Sequence, residues 1–381
     1  MIQWFNRNMA RWPDEQMSQS LFGYCIISIV EKTTMFIHND WYIAAWGSEI
    51  KGRPFARTIL NQPVVLYRDR TGKVAALEDR CCHRGTPLAK GSVVAEGLQC
   101  GYHGLVFDAS GACVHVPGQD HIPTDVRVRS YPVVEQDKFV WIWLGAAKKA
   151  DPSRIISYPY HNDYTRWPHK STTMQVKCDY LLLIDNLMDL THLGYVHGRT
   201  VGGSPATHVE AKMDISPTPT GVKFIRWMLN SVPPATYAKA VGFKGRIDRW
   251  QETEFVAPSN VLQFTGALDV GAGAYEQGKR EGGFALRLFH GITPETGDSC
   301  FYFWSAANGY RQDDPAATEQ LFNDIAMTFE EDKVILEAQH ARLRSSPNAP
   351  LVDIGADAVR IHAHRHIERR LAEEAMPLAA G

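Results

Sequence analysis

The sequence carries no excess of charge of either sign. Its 40 Lys+Arg stand against 42 Asp+Glu, a net charge of −2, which gives no electrostatic footprint for nucleic acid or for an anionic membrane surface. Cysteine is scarce, 7 in 381 residues, too few and odd in number for a disulfide scaffold, so a reducing cytoplasm is the expected location. No apolar run approaches the roughly 20 residues of a membrane helix. The run Leu21 to Val30 is broken by Gly23 and Ser28. Asp14 and Glu15 separate it from Arg7 and Arg11, the wrong charge order for a secretory signal. A dinucleotide fingerprint such as G-x-G-x-x-G is also missing. Hydrophobic residues at 44% and charged residues at 22% exclude wholesale disorder.

The length predicts about two domains. Residues 1–34 show no periodicity, cap or turn grammar and read as an N-terminal extension upstream of Met35, a candidate physiological start. From 35 to 150 the chain reads as short strands joined by tight turns. Val64–Tyr67 leads through Asp69–Gly72 into Val74–Leu77, Leu105–Phe107 turns at Ser110-Gly111, and Phe139–Leu144 closes the set. A Lys/Ala/Asp/Pro/Ser stretch from Lys148 to Arg154 reads as a linker to a second unit, 151–381. There we expect a helical run near 180–193, long strands between 221 and 306, and a helix from Pro315 to about Leu343 capped by Asp314. The fold class is α+β: an all-β unit, then an antiparallel sheet packed on a long helix in the helix-grip manner.

Cys81-Cys82-His83 and Cys100-Gly101-Tyr102-His103 form a C-x-H segment, a gap of sixteen residues, and a C-x-x-H segment. Zinc fingers pair Cys with Cys and His with His. Here each segment offers one of each, and that mixed order favours a [2Fe–2S] cluster held by two thiolates on one iron and two imidazoles on the other, a Rieske centre. Cys82 occupies the variable position and is expected to be a packed neighbour of the cluster.

A second constellation lies in Asp185 to His197. Asn186, Asp189 and His192 are three apart and fall near one helix face. His197 lies about 140° further round an ideal helix than His192, so both reach one metal only if the helix ends or unwinds near Gly194. The third ligand comes from far away. Asp332 falls on the stripe Ile325, Phe329, Asp332, Leu336, the core-facing side of the long helix, where a carboxylate must be paired or metal-bound. Glu330 and Glu331 point elsewhere and are expected in solvent. Two histidines and a carboxylate make the facial triad of non-haem Fe(II) oxygenases.

At these residues the chain resembles the Rieske non-haem iron oxygenases, over essentially residues 35–370, and within them the vanillate O-demethylase, toluenesulfonate methyl-monooxygenase and dicamba O-demethylase branch. LEDRCCHRGTPL, CGYHGLVFDASGACVHVPGQ, IDNLMDLTHLGYVH, ITPET and FEEDKVILEA carry the resemblance. It implies Cys81, His83, Cys100 and His103 as cluster ligands and His192, His197 and Asp332 as Fe(II) ligands. It also implies a head-to-tail homotrimer in which Asp189 bridges His103 across a subunit interface to His192, with Asn186 beside the iron. For substrate it suggests His290, ending the apolar face Phe284, Leu286, Leu288, as a donor to a carboxylate or sulfonate, and Gln263 as a weaker candidate.

The activity implied is that of the terminal oxygenase of a multicomponent monooxygenase. It would use O2 and electrons from NAD(P)H, relayed by a separate flavin/[2Fe–2S] reductase, to hydroxylate a methyl or methoxy carbon of an aromatic acid. Ring cis-dihydroxylation by the same metals is the alternative. A Rieske electron carrier would leave the second unit and Asp332 unexplained, and a zinc-stabilised binding module would leave the mixed ligand order unexplained. His362, His364 and His366 are expected on a solvated helix face.

Overall fold

The computed structural model describes residues 36–375, so the expected extension 1–34 lies outside the described residues. The first part of the chain is built of eleven short strands: β1 (Trp41–Trp46), β2 (Phe55–Ile59), β3 (Gln62–Arg68), β4 (Val74–Glu78), β5 (Ser92–Val94), β6 (Gly97–Gln99), β7 (Val106–Phe107), β8 (Cys113–His115), β9 (Ser130–Tyr131), β10 (Val133–Gln136) and β11 (Phe139–Trp143). They form three antiparallel sheets, ordered β1-β11-β10, β2-β3-β4-β9 and β5-β6-β7-β8. The expected hairpin at Asp69–Gly72 is there. Asp69 Oδ1 accepts from Thr71 N and Lys73 N, which is the usual chemistry of an Asx turn.

The second part adds β12 (His169–Val176), β13 (Lys212–Thr218), β14 (Gly221–Ser231), β15 (Ile247–Val256), β16 (Asn260–Asp269), β17 (Phe284–Thr296) and β18 (Ser299–Asn308). β13 to β18 run as an antiparallel meander, and β12 closes the sheet along β18. Sequence reading missed the two edge strands: β13 is largely exposed and β12 half-exposed, so neither shows an apolar face.

Helices cover one face of the seven-stranded sheet: α1 (Tyr180–Met188), the short α2 (Leu193–Val196), α3 (Pro205–Val209) and α4 (Ala235–Ala240), then α5 (Pro315–Ser345) and α6 (Ala358–Ala375). Asp314 caps α5 by accepting from Ala316 N and Ala317 N, with Pro315 at the first helical position. Alternation along β17 and β18 sorts the two faces. Leu286, Leu288, Ile292, Tyr302 and Trp304 join the core beneath the helices. Phe289 and Phe303 point the other way, into Trp41, Trp46, Trp141 and Trp143 of the first part. The two parts therefore share a wall of aromatic rings and are held by it.

One expectation fails on α6. His364 and His366 are buried rather than solvated, because this face of the helix packs on α1 and β14. His364 Nε2 lies 2.5 Å from Asp185 Oδ1. Burial pushes the imidazole down, but the Asp185 carboxylate outweighs it and holds the histidine above its ordinary 6.5. Since the folded-state value is raised, the protonated pair stabilises fully below pH 6.5, and this contribution fades as pH rises through the raised value. His364→Gln, which keeps a neutral donor, is expected to cost about 1.5 kcal/mol below neutrality. Thermal melts from acid to alkaline pH should show the gap to the native chain closing as pH rises. A gap that widens with pH contradicts the assignment.

Candidate metal centres and the cavity beside them

The two Cys/His loops are built alike despite their different spacing. In the first, Cys81 N donates to Thr86 O and Gly85 N to Cys81 O; in the second, Cys100 N donates to Leu105 O and Gly104 N to Cys100 O. Both turns close on a glycine of positive φ, +72° at Gly85 and +76° at Gly104, which a residue with a Cβ adopts only at a cost. The loops place Cys81 and Cys100 in the core of the first part, while His83 and His103 stay exposed with ring centroids 4.6 Å apart. Burial, reinforced by the adjacent Cys100 thiol, pushes the Cys81 thiol up to about 11. Two buried sulfurs side by side, capped by two imidazoles, fit a cationic iron–sulfur group. Cys82 is exposed rather than packed.

The second cluster depends on an interrupted helix. α1 begins at Asp179, whose carboxylate accepts from Leu181 N, and stops at Met188, since Asp189 adopts extended angles (φ −119°, ψ 97°). A second interruption follows where the sequence suggested one: the short helix α2 ends at Val196, two residues past Gly194, and His197 leaves helical angles (φ −111°, ψ 27°). The Asp189 carboxylate starts a new turn by accepting from Thr191 N at 2.8 Å and Thr191 Oγ1 at 2.7 Å. Gly194 serves packing: a Cβ there would lie 2.6 Å from Pro205 Cα in α3. With His192 in a tight 3-10 turn and His197 beyond the end of α2, the two rings turn to one side. Their ring centroids are 5.3 Å apart, and one donor atom from each of His192, His197 and Asp332 lies within 4.8 Å of the others.

Each imidazole is oriented from behind. His192 Nδ1 lies 2.5 Å from the Asp189 carbonyl oxygen, and His197 Nδ1 lies 2.8 Å from Glu331 Oε2. Both Nε2 atoms therefore face Asp332 Oδ1, at 3.5 Å from His192 and 3.0 Å from His197. Glu331 is thus engaged in the site and not simply in solvent; it lies one residue from Asp332, on the flank of α5 that meets α2. Asn186 Nδ2 donates to the same Asp332 oxygen at 3.0 Å, so it steadies the carboxylate. Burial lowers His192 below its ordinary range. It also lowers His197, but Asp332 and Glu331 carry that residue above its ordinary value. A pair of carboxylates gathered on buried imidazoles calls for positive charge, and a divalent cation supplies it.

The triad lines a cavity together with Leu187, Leu190, Leu193, Val201, Leu286, Leu288, Ile325 and Phe329. Gln263 lines it, as the sequence suggested. His290 is not among its lining residues; it is fully buried on β17, its Nδ1 2.6 Å from the Tyr302 hydroxyl. Burial drives it down to about 3, so it is a neutral imidazole. The polar lining also includes Tyr237, Arg249, Gln251, Thr265 and Thr328, none of which sequence reasoning singled out.

Comparison with known proteins agrees with this geometry. Residues 40–132 match the Rieske [2Fe–2S] domain, and residues 176–374 match the vanillate O-demethylase oxygenase C-terminal domain. The chain is 40% identical to the toluene-4-sulfonate monooxygenase system iron–sulfur subunit of Comamonas testosteroni over 326 residues, covering 85% of this chain and 94% of that one. It is 36% identical to the vanillate O-demethylase oxygenase subunit of a Pseudomonas species over 351 residues, covering 89% and 96%. The crystal structure of dicamba monooxygenase bound to dicamba superposes with a TM-score of 0.81 at 33% identity, covering 90% of this chain and 99% of that one.

The role given to Glu331 can be measured. Glu331→Gln keeps a partner for His197 but removes its charge, and should weaken Fe(II) binding by about 10- to 100-fold in chelator competition. Glu330→Gln alters a residue whose ion pair is to Lys333, at 3.8 Å, and should leave iron affinity unchanged. Equal affinities in the two variants contradict the role.

Proposed function

The chain belongs to the Rieske non-haem iron oxygenases of the vanillate O-demethylase type, and from that premise we propose its reaction, hydroxylation of a methyl or methoxy carbon on a small aromatic acid. It is an oxidoreductase, the oxygenase component of a multicomponent monooxygenase. One observation carries the reading: His192 Nε2, His197 Nε2 and Asp332 Oδ1 converge in the lining of a largely apolar cavity. We take residues 35–150 and 151–381 as its two working units.

Cys81, His83, Cys100 and His103 would hold the [2Fe–2S] cluster, and His192, His197 and Asp332 the mononuclear Fe(II). When bound, the two groups would supply electrons and O2 activation, with NAD(P)H as the electron source through a reductase partner. The chain's own residues do the rest. Asn186 fixes the rotation of Asp332, while Asp189 and Glu331 fix the two imidazoles. The leucine and phenylalanine walls exclude water from the reacting carbon. Hydroxylating an O-methyl group gives a hemiacetal that releases formaldehyde and a phenol; hydroxylating a methyl group gives a stable benzylic alcohol.

The working assembly in this proposal is a head-to-tail trimer, in which the exposed His103 faces the iron site of the next subunit. Asp189 supports it. Its Oδ1 is taken by Thr191 and its carbonyl by His192, while among the described residues Oδ2 receives no hydrogen bond. That oxygen would accept from His103 of the partner subunit, so the link would run through the carboxylate on one side and the main chain on the other.

The decisive experiment supplies the purified protein with a reductase, NADH and a panel of methoxybenzoates and methylbenzenesulfonates. Formaldehyde or benzylic alcohol is the expected product, with three irons per subunit; a ring diol retaining its methyl group would overturn the reaction class. Asp332→Ala should keep two irons, lose the third and abolish product, because it removes the anionic ligand. Asp189→Asn should keep all three irons yet lower product formation by about 10- to 100-fold. Turnover unchanged by Asp189→Asn removes its bridging role.

A further inference from the structure

A buried cation without a carboxylate stands in the cavity wall. Arg249 lies on β15 on the face shared by Ile247, Gln251 and Phe255, and it is 1% exposed. Its Nη1 donates to the Gly202 carbonyl at 3.1 Å, its guanidinium sits 4.8 Å from the Tyr237 ring centroid, and its Nε has no hydrogen-bond partner. No ion pair to it forms among the described residues. The neighbouring Arg226 is 3% exposed and forms no ion pair among the described residues, though it feels the Asp189 carboxylate; it donates to Gln251 Oε1 and to the His208 carbonyl. Burial, and then the two guanidiniums, drive His208 down to about 3. A buried guanidinium held only by carbonyls and a ring is costly unless an anion completes it.

Asp332, the one carboxylate in the cavity lining, is occupied by His197 and Asn186. Among the described residues no carboxylate is left in the lining to pair with Arg249. We propose that Arg249 is the residue that recognises the acid end of the substrate, a carboxylate or sulfonate on an aromatic ring, and so holds the methyl or methoxy end toward the metal triad. The planar fork of the guanidinium matches either oxyanion. This role falls to Arg249 and not to His290, which carries no fixed charge, has its Nδ1 taken by Tyr302 and is outside the cavity lining. The inference rests on the aromatic-acid reading above, and it specifies how the acid is recognised.

The test compares matched acid and neutral ligands on the iron-loaded protein: 4-methylbenzenesulfonate against 4-methylbenzenesulfonamide, and 3-methoxybenzoate against its methyl ester. Binding is read by calorimetry and turnover by product. The native protein should bind the acids at least about 10-fold tighter than their neutral partners. Arg249→Met should raise the acid Kd and KM by about 100-fold, with little change for the neutral ligands, and Arg249→Lys should retain part of the preference. Two outcomes overturn the proposal: a native protein that binds acid and neutral partner alike, which is decisive even if a variant fails to fold, or a folded Arg249→Met protein that keeps the preference. Charge-selective binding that Arg249→Met abolishes supports the proposal even if no acid is turned over, in which case the reaction class alone fails. Turnover of acids with the preference intact in Arg249→Met leaves the reaction class standing and removes Arg249.

Discussion

A carboxylate on the sheet-facing side of a 31-residue helix organises the second half of this molecule. Asp332 sits among Ile325, Phe329 and Leu336, all buried, where an isolated charge is costly. The helix can bury that face only because Asn186 of α1 and His192 and His197 arrive opposite it, the two histidines because the chain leaves α1 at Asp189 and ends α2 at Val196. An uninterrupted helix would carry His192 and His197 about 140° apart. The break, the caps that make it and the burial of Asp332 are thus one arrangement, and a divalent cation among the three donors completes its charge balance.

The two metal sites were legible in the sequence to different degrees, for a physical reason. Cys81, His83, Cys100 and His103 lie in two short loops, so ligand order alone separates them from a zinc finger, and the turn glycines are visible beside them. The triad spans 140 residues, and only Asp332 signals itself locally, as an acid on an apolar stripe. Asp189 was read as a helical residue because nothing in its neighbours marks a cap inside a run of helix formers. The aspartate–threonine spacing that makes the cap, Asp189 to Thr191, was the available signal. His364 and His366 show the converse error: polar composition suggested a solvated face, but α6 packs that face on α1.

Arg249 was hidden for another reason. Along Ile247–Val256 both faces of β15 carry polar residues, so alternation cannot say which faces the core. The structure resolves it, and the burial of Arg249, Gln251 and Thr253 on one side turns a strand that reads as ordinary surface into the polar wall of a cavity. Gly202 contributes the geometry. Its carbonyl accepts from both Arg249 Nη1 and His208 Nε2, so one loop oxygen positions the cationic cluster. A Cβ at Gly202 would lie 1.9 Å from the Leu193 carbonyl oxygen, which ties that loop to the turn bearing the metal histidines.

Electrostatics then separates two positions in the cavity wall. At one a divalent cation would meet Asp332, with Glu331 behind His197, and be largely neutralised. At the other stands Arg249, without an ion pair among the described residues, in a medium where Coulomb interactions act at reduced dielectric. The unbalanced positive charge belongs to the guanidinium rather than to the metal, so an anion is drawn to the arginine. A ring bearing an acid at one side and a methyl group at the other is oriented by this asymmetry before any contact with the apolar walls is made. The walls select for shape, and the field selects which end enters first.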